Sequence, residues 1–240
     1  ATKELESVLS TIKTSKKQTT HWIKPFMRVA AILAICFSLY YYTTTIDTTI
    51  TTEMAQKTTV DLPDASSVAL NAKSVLVFNK NSWKNNREVE LQGEAFFKVE
   101  KGSKFTVSSA QGRVSVLGTQ FNIYDRANYY EVECLEGRVQ VDLEDGGSFI
   151  LNAGDKLSDF NNKQNPIVKK NVVKKIDWLN KFVQVDSMDL GFVFDELGRY
   201  YDVDFVNDTG IRGKSYEGFF TTASLDSAVY QILWPLGIDY

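Results

Sequence analysis

The chain has 240 residues, a formal net charge of -3, 43% hydrophobic and 24% charged residues, which is globular composition with room for one or two domains. The mild acidity argues against direct nucleic-acid binding. One histidine, His21, and two distant cysteines, Cys36 and Cys134, exclude a His- or Cys-built metal site and a disulfide framework.

The tail, residues 1–28, carries Lys3, Lys13, Lys16, Lys17, Lys24 and Arg28 against Glu4 and Glu6. Leu5, Val8, Leu9 and Ile12 fall at helical spacing, a weak amphipathic helix suited to a membrane surface or a partner. Next comes "FMRVAAILAICFSLYYYTTTIDTT". From Val29 to Ile46 it holds 18 residues without a charge, close to the roughly 20 that cross a bilayer core. Apolar residues occupy every face from Val29 to Leu39, unlike the striped helix of a soluble core. The long leading segment and the lack of an A-x-A-like site fit a cleaved signal poorly. A single transmembrane helix over 29–46 is expected, with Trp22, Phe26 and Tyr40–Tyr42 as interfacial anchors. Asp47, Glu53, Asp61 and Asp64 follow it against one Lys57, so the positive-inside rule puts the tail in the cytoplasm and the rest outside.

Residues 58–165 read as short strands: "SSVALNA", "SVLVFN", "REVELQG", "EAFFKVE", "KFTVSS", "GRVSVLG", "TQFNIY", "YYEVECLEG", "RVQVDL" and "SFILNAG". Glycines open three of them at spacings of 19 and 25 residues, which permits an irregular β-solenoid. An antiparallel jelly-roll-like domain is the competing arrangement. Val114, Val116, Val139 and Val141 are expected to face inward, and Val132 with Cys134 to share a buried face.

Residues 175–240 change pattern. "KFVQVD" reads as a strand and "SMDLGFVFDELGRYY" as a helix capped by Ser187. "VDFV" and "YEGFFTT" read as strands, and "SLDSAVYQILWPLG" as a helix capped by Ser224 and stopped by Pro235 and Gly237. "IDY" begins a last strand cut short at Tyr240. The expected fold class is mainly β with α+β: one transmembrane helix, the β domain, then a small βαβ-βαβ domain. The chain starts at Ala1 and stops in a strand, so it is expected to be a fragment of a longer protein.

Four motifs in order, "VDLPDASSVALNAKSVLVF", "REVELQGEAFFKVEK", "FTVSSAQGRVSVLGTQFNIY" and "VECLEGRVQV", closely resemble the periplasmic region of FecR-type anti-sigma factors over about 58–155. "DWLNKFVQVDSMDLGFVFDELGRYYDVDF" with "YEGFFTTASLDSAVYQIL" resembles the C-terminal module of the Bacteroidetes branch, similar in layout to the short secretin/TonB N-terminal-type domain. Trp178, Phe182, Leu190, Leu197, Tyr200 and Tyr201 stand at comparable places. Two departures bear on this. Ala65 replaces a customary glycine, so that turn is expected to be less tight, and the tail is shorter than the usual sigma-binding region.

The resemblance implies a single-pass inner-membrane regulator with periplasmic C-terminal domains. Its partners would be an extracytoplasmic-function sigma factor inside and the signalling domain of a TonB-dependent outer-membrane receptor outside. It would control iron or glycan uptake genes, with stepwise proteolysis releasing the sigma factor.

Candidate partner-binding residues are Trp83, unusual in the polar loop "NKNSWKNNRE", and Phe219 and Phe220 of "YEGFFTT", an edge strand open to strand addition. The plain alternative for each is a core role. The alternative function is a carbohydrate-binding module on a membrane anchor, with Trp83 and Tyr129–Tyr130 stacking on sugars. No catalytic, cofactor or metal residue is assigned. Glu94, Glu131, Glu133 and Glu136 are the available carboxylates, but a sheet with a wet face supplies such residues without catalysis.

Overall fold

The computed structural model describes residues 23–126, 129–144, 146–160, 166–206 and 213–238. The expected tail helix, His21 and Trp22 lie outside these residues. The chain divides into two compact units, 1–45 and 46–240.

In the first unit, helix α1 spans Ile23–Thr45. Its 23 residues extend about 34 Å, enough for a hydrocarbon core of about 30 Å. The window Pro25–Tyr42 has mean hydropathy 1.4 and buries none of its residues. Apolar side chains on all sides, Cys36 among them, are thus left without a protein core.

In the second unit, residues 46–169 form thirteen strands: β1 Thr48–Thr52, β2 Thr58–Asp61, β3 Ser67–Leu70, β4 Ser74–Phe78, β5 Arg87–Lys98, β6 Phe105–Ser108, β7 Gly112–Val116, β8 Gln120–Arg126, β9 Tyr129–Glu136, β10 Arg138–Leu143, β11 Ser148–Asn152, β12 Lys156–Phe160 and β13 Ile167–Lys169. They make one 13-stranded sheet that curls into two leaves about β5. "REVELQG" and "EAFFKVE", expected as separate strands, are this one strand. Its first half lies between β4 and β6, and its second half between β3 and β8. The corner falls at Gly93, where φ is +105° and a Cβ would stand 2.6 Å from Ser74 Oγ and 2.9 Å from Ser74 Cα. Only glycine meets both demands.

Pairing is antiparallel except between β5 and β6, so the expected solenoid stack does not form. The strands run back on one another through tight turns instead of coiling in one direction. The leaves enclose a core of Phe97, Phe105, Phe121, Leu70, Leu76, Ile123 and their neighbours. Phe97 stacks on Phe121 with centroids 5.0 Å apart. Val114, Val116, Val139, Val141, Val132 and Cys134 all point into it, as their alternation requires.

The C-terminal module is smaller than expected. A 3-10 turn, Asp177–Asn180, leads into β14 Phe182–Asp189, helix α2 Leu190–Tyr201, β15 Ser215–Thr221 and helix α3 Leu225–Leu233. Only β14 and β15 pair, antiparallel, so the described part is β-α-β-α and not two βαβ units. The expected strand at 203–206 is irregular chain, and Phe205 tilts against Phe194 at 5.0 Å. Ile238 is not in a strand, and residues 239–240 lie outside the described range. The cap of α2 is Asp189, which accepts from Gly191 N, and not Ser187. Ser187, at φ +53°, sits at the irregularity in β14. Ser224 caps α3 as expected.

Candidate functional site

The outer face of the second leaf is covered by the C-terminal module, and the seam between them is polar. Alternation along β5, β8 and β9 sends Ala95, Phe97, Phe121, Ile123, Val132 and Cys134 inward. It sends Glu94, Phe96, Asn122, Tyr124, Tyr129, Glu131 and Glu133 outward, toward the 3-10 turn, β14 and α2.

Glu94 lies near the centre, next to the corner at Gly93, and is 6% exposed. Its carboxylate accepts from Asn71 Nδ2 at 2.6 Å and from Asn122 Nδ2 at 3.0 Å. Both amides also reach the module. Asn71 Nδ2 donates to Tyr200 Oη at 2.7 Å, and Asn122 Oδ1 accepts from Trp178 Nε1 at 3.1 Å. Beside them Tyr124 donates to Glu196, which is also paired with Arg199. Glu131 accepts from Tyr129 and from Ser158 Oγ, and Lys156 sits 3.2 Å away. Lys156 also approaches Asp186 of β14 at 3.9 Å.

Burial sets the charge states. Desolvation, then repulsion from Glu196, lifts Glu94 to about 7, against the pull of its hydrogen bonds and Arg126. Burial and Glu131 raise Glu133 as well. Burial opposes the charge on Lys156, but Glu131 and Glu133 outweigh it and its pKa rises. Tyr124 and Tyr200 are held firmly as neutral donors and acceptors, chiefly by burial. The seam also borders a partly open cavity of about 590 Å³ lined by Glu94, Glu133, Lys156, Trp178 and Tyr200 among others. Such a joint is specific in geometry because each buried polar group needs its partner. It is also sensitive to protonation. Among the described residues no group of three His, Cys, Asp or Glu is placed to hold a metal ion.

The structure separates the three candidate contact residues. Trp83 is 4% exposed and lies edge-on between Phe78 and Phe105, closing one end of the β core. Phe220 is fully buried beneath α3. Neither can touch a partner in this conformation. Phe219, opposite Gln184 on the other face, is 60% exposed. Tyr129 and Tyr130 are buried too, so the aromatic platform needed for sugar stacking is missing from these residues. Glu94, Glu131 and Glu133 line the seam, while Glu136 is exposed at the end of β9. Asn71, Asn122, Glu196 and Lys57 escaped sequence reasoning. The available signal was the burial-compatible run "QFNIYD" in β8, which fails to alternate because both faces are covered.

The fold is thus a two-leaf β domain carrying a docked αβ module. Residues 48–140, from β1 into β10, match the FecR protein family, in agreement with the motif resemblance. Two crystal structures of a proposed anti-sigma factor from Parabacteroides distasonis ATCC 8503 share this fold. They are 26% identical in sequence, with TM-scores of 0.75 and 0.74. The alignments cover 81% and 80% of this chain, and 94% and 93% of those chains. No curated protein matches the sequence significantly.

Proposed function

We propose that the protein is a FecR-type anti-sigma factor: a single-pass inner-membrane regulator, not an enzyme. Its partner inside is an extracytoplasmic-function sigma factor. Outside, it receives a signal from a TonB-dependent outer-membrane receptor serving iron or glycan uptake. The observation that carries this reading is the order of parts. A bare apolar helix comes directly before the strands that match FecR, and these come before the covered αβ module. The basic residues ahead of the helix support a cytoplasmic tail and periplasmic domains.

For receptor contact, β15 is the element with suitable properties. It pairs only with β14 among the described residues, leaving an edge for strand addition beside exposed Phe219. The test uses the full chain in detergent as bait for candidate sigma factors and receptor signalling domains, alongside a reporter fused to its C-terminus. Capture of both partners and a periplasmic reporter are expected. A cytoplasmic reporter, or failure to retain any receptor signalling domain, overturns the reading.

A further inference from the structure

The loop between β1 and β2 is held by the C-terminal module. Helix α1 ends at Thr45 and β1 starts at Thr48, so only Ile46 and Asp47 separate them. Strand β1 is an edge: among the described residues it pairs with β4 alone. Its sequence, TTITT, contributes one half-buried apolar residue, Ile50, and one buried anchor, Thr52. Thr52 Oγ1 donates to Asn71 O at 2.6 Å and accepts from Ser74 N at 2.9 Å. A five-residue edge of this composition is weakly held by itself.

Residues 53–57 then cross to the module. Glu53 O accepts from Lys73 N at 3.1 Å, on the β domain. Ala55 N donates to Arg199 O at 2.8 Å. That carbonyl belongs to the last turn of α2, where a helix has no internal donor to offer, so the loop supplies one. Ala55 adopts φ +56°, a conformation that alanine resists and that its surroundings must enforce. Lys57 Nζ donates to Trp178 O at 3.1 Å and lies 5.2 Å and 5.0 Å from the ring centroids of Trp178 and Tyr200. Tyr200 is in turn tied to Asn71, whose carbonyl holds Thr52. One short loop therefore joins the strand that follows the helix to the end of α2 and to the 3-10 turn.

We propose that residues 53–57 are a latch through which docking of the C-terminal module controls whether the chain next to the membrane helix stays folded. While α2 and Trp178 are seated, Ala55 and Lys57 are held and β1 stays on the sheet edge. When the module lifts, both anchors are lost together and residues 46–57 become free extended chain. Coupling of this kind is reciprocal, so loosening the latch also loosens the module.

Hydrogen exchange on the full chain in detergent micelles tests this. Lys57→Met removes the cation and its donor at a solvent-accessible position. Exchange should quicken about fivefold or more in peptides covering 46–57 and in the last turn of α2, with β5 unchanged. Lys57→Arg should restore most of the protection. Leu197→Ala loosens the module from its core, at a fully buried α2 side chain that is not itself one of the latch contacts, and should speed exchange in 46–57 to a similar degree. If Leu197→Ala frees α2 while 46–57 stays protected, or Lys57→Met frees 46–57 while α2 stays protected, the latch is refuted. The outcome depends on contacts within 46–240 and not on which partners the protein binds.

Discussion

The β domain and the C-terminal module bury their apolar side chains by different means. The β domain closes on itself: two leaves share a dry core of Phe, Leu, Ile and Val, and most of its inward residues are fully buried. Among its described residues the module has two paired strands and two short helices, too little to enclose a core by itself. It borrows the outer face of the second leaf, so that Tyr124, Tyr129, Ala69, Phe96 and Leu135 of the β domain belong to its core. The lesson is that the β domain is a scaffold while the module is a docked part, held by apolar contact and by a polar seam whose strength depends on charge. That suits a relay, in which one element must stay folded while another changes state.

The largest expected effect tests the scaffold. Phe97 touches both Phe121 and Phe105, at 5.0 Å and 6.2 Å between centroids. Phe97→Ala should cost about 3–5 kcal/mol and bring down both parts in one transition, followed by urea unfolding. Leu197→Ala, in the module core, should cost about 2–5 kcal/mol locally. It should leave the near-ultraviolet signal of the β domain to melt later as a separate step. A single unchanged transition for Leu197→Ala would erase the distinction between scaffold and docked part.

The next effect concerns charge in the seam. Glu94 rises from 4.5 to about 7 in the folded protein, so between those values the folded state binds more protons than the unfolded one. Stability is then full below about 4.5 and is lost as pH climbs toward 7. Glu133, raised by burial, adds in the same direction. The Glu94 contribution is on the order of 3 kcal/mol at most. Glu94→Gln removes the buried charge but gives up one acceptor for Asn71 or Asn122. Its expected gain at pH 8 is therefore about 1 kcal/mol, with a flatter profile of melting temperature from pH 5 to 8. A wild-type profile that rises across this range would show that the seam does not hold Glu94 as described.

How much of this was legible in the sequence follows from which faces are covered. Helices α2 and α3 were visible because each buries one stripe. Strands such as β7 and β10 were visible because one face is wet, giving Val114/Val116 and Val139/Val141. Strands β1 and β2 were missed because threonines on an edge leave no apolar alternation. The segment 203–206 misled for the opposite reason: Val203 and Phe205 alternate, yet Phe205 is spent on Phe194 and among the described residues no neighbouring strand is placed to pair. Trp83 was open to two readings because its neighbours are polar, and the core one holds: the loop folds over and its ring fills the gap between Phe78 and Phe105. The seam itself was the hardest to read. Asn71 and Glu94 are 23 positions apart, and Asn71 and Tyr200 are 129 apart, so no local pattern links them.

The smallest expected effect isolates the scaffold from the seam altogether. Ala65 stands where the resembling family has glycine, and the turn was expected to relax to suit it. It does not: Ala65 keeps φ +66°, with Leu62 N donating to Ser66 O at 2.8 Å and Ala65 N to Leu62 O at 3.1 Å. The turn is held because Asp64 accepts from Ser66 N at 3.1 Å and is paired with Arg87, which also donates to Ser103 O at 2.6 Å and Glu100 O at 3.0 Å. The alanine therefore bears a left-handed backbone at a cost of about 1–2 kcal/mol. Ala65→Gly removes that cost but adds freedom to the unfolded chain, worth about 0.4–1 kcal/mol in the other direction. The balance is a gain of about 0.5–1 kcal/mol and a rise of roughly 1–4 °C in the melting of the β domain. Ala65 is exposed and its backbone donates to Leu62 O within its own turn and not to the seam, so the pH profile should shift upward without changing shape. A change of slope between pH 5 and 7 would mean that the turn and the seam are one cooperative unit, and that the scaffold does not stand apart from what docks on it.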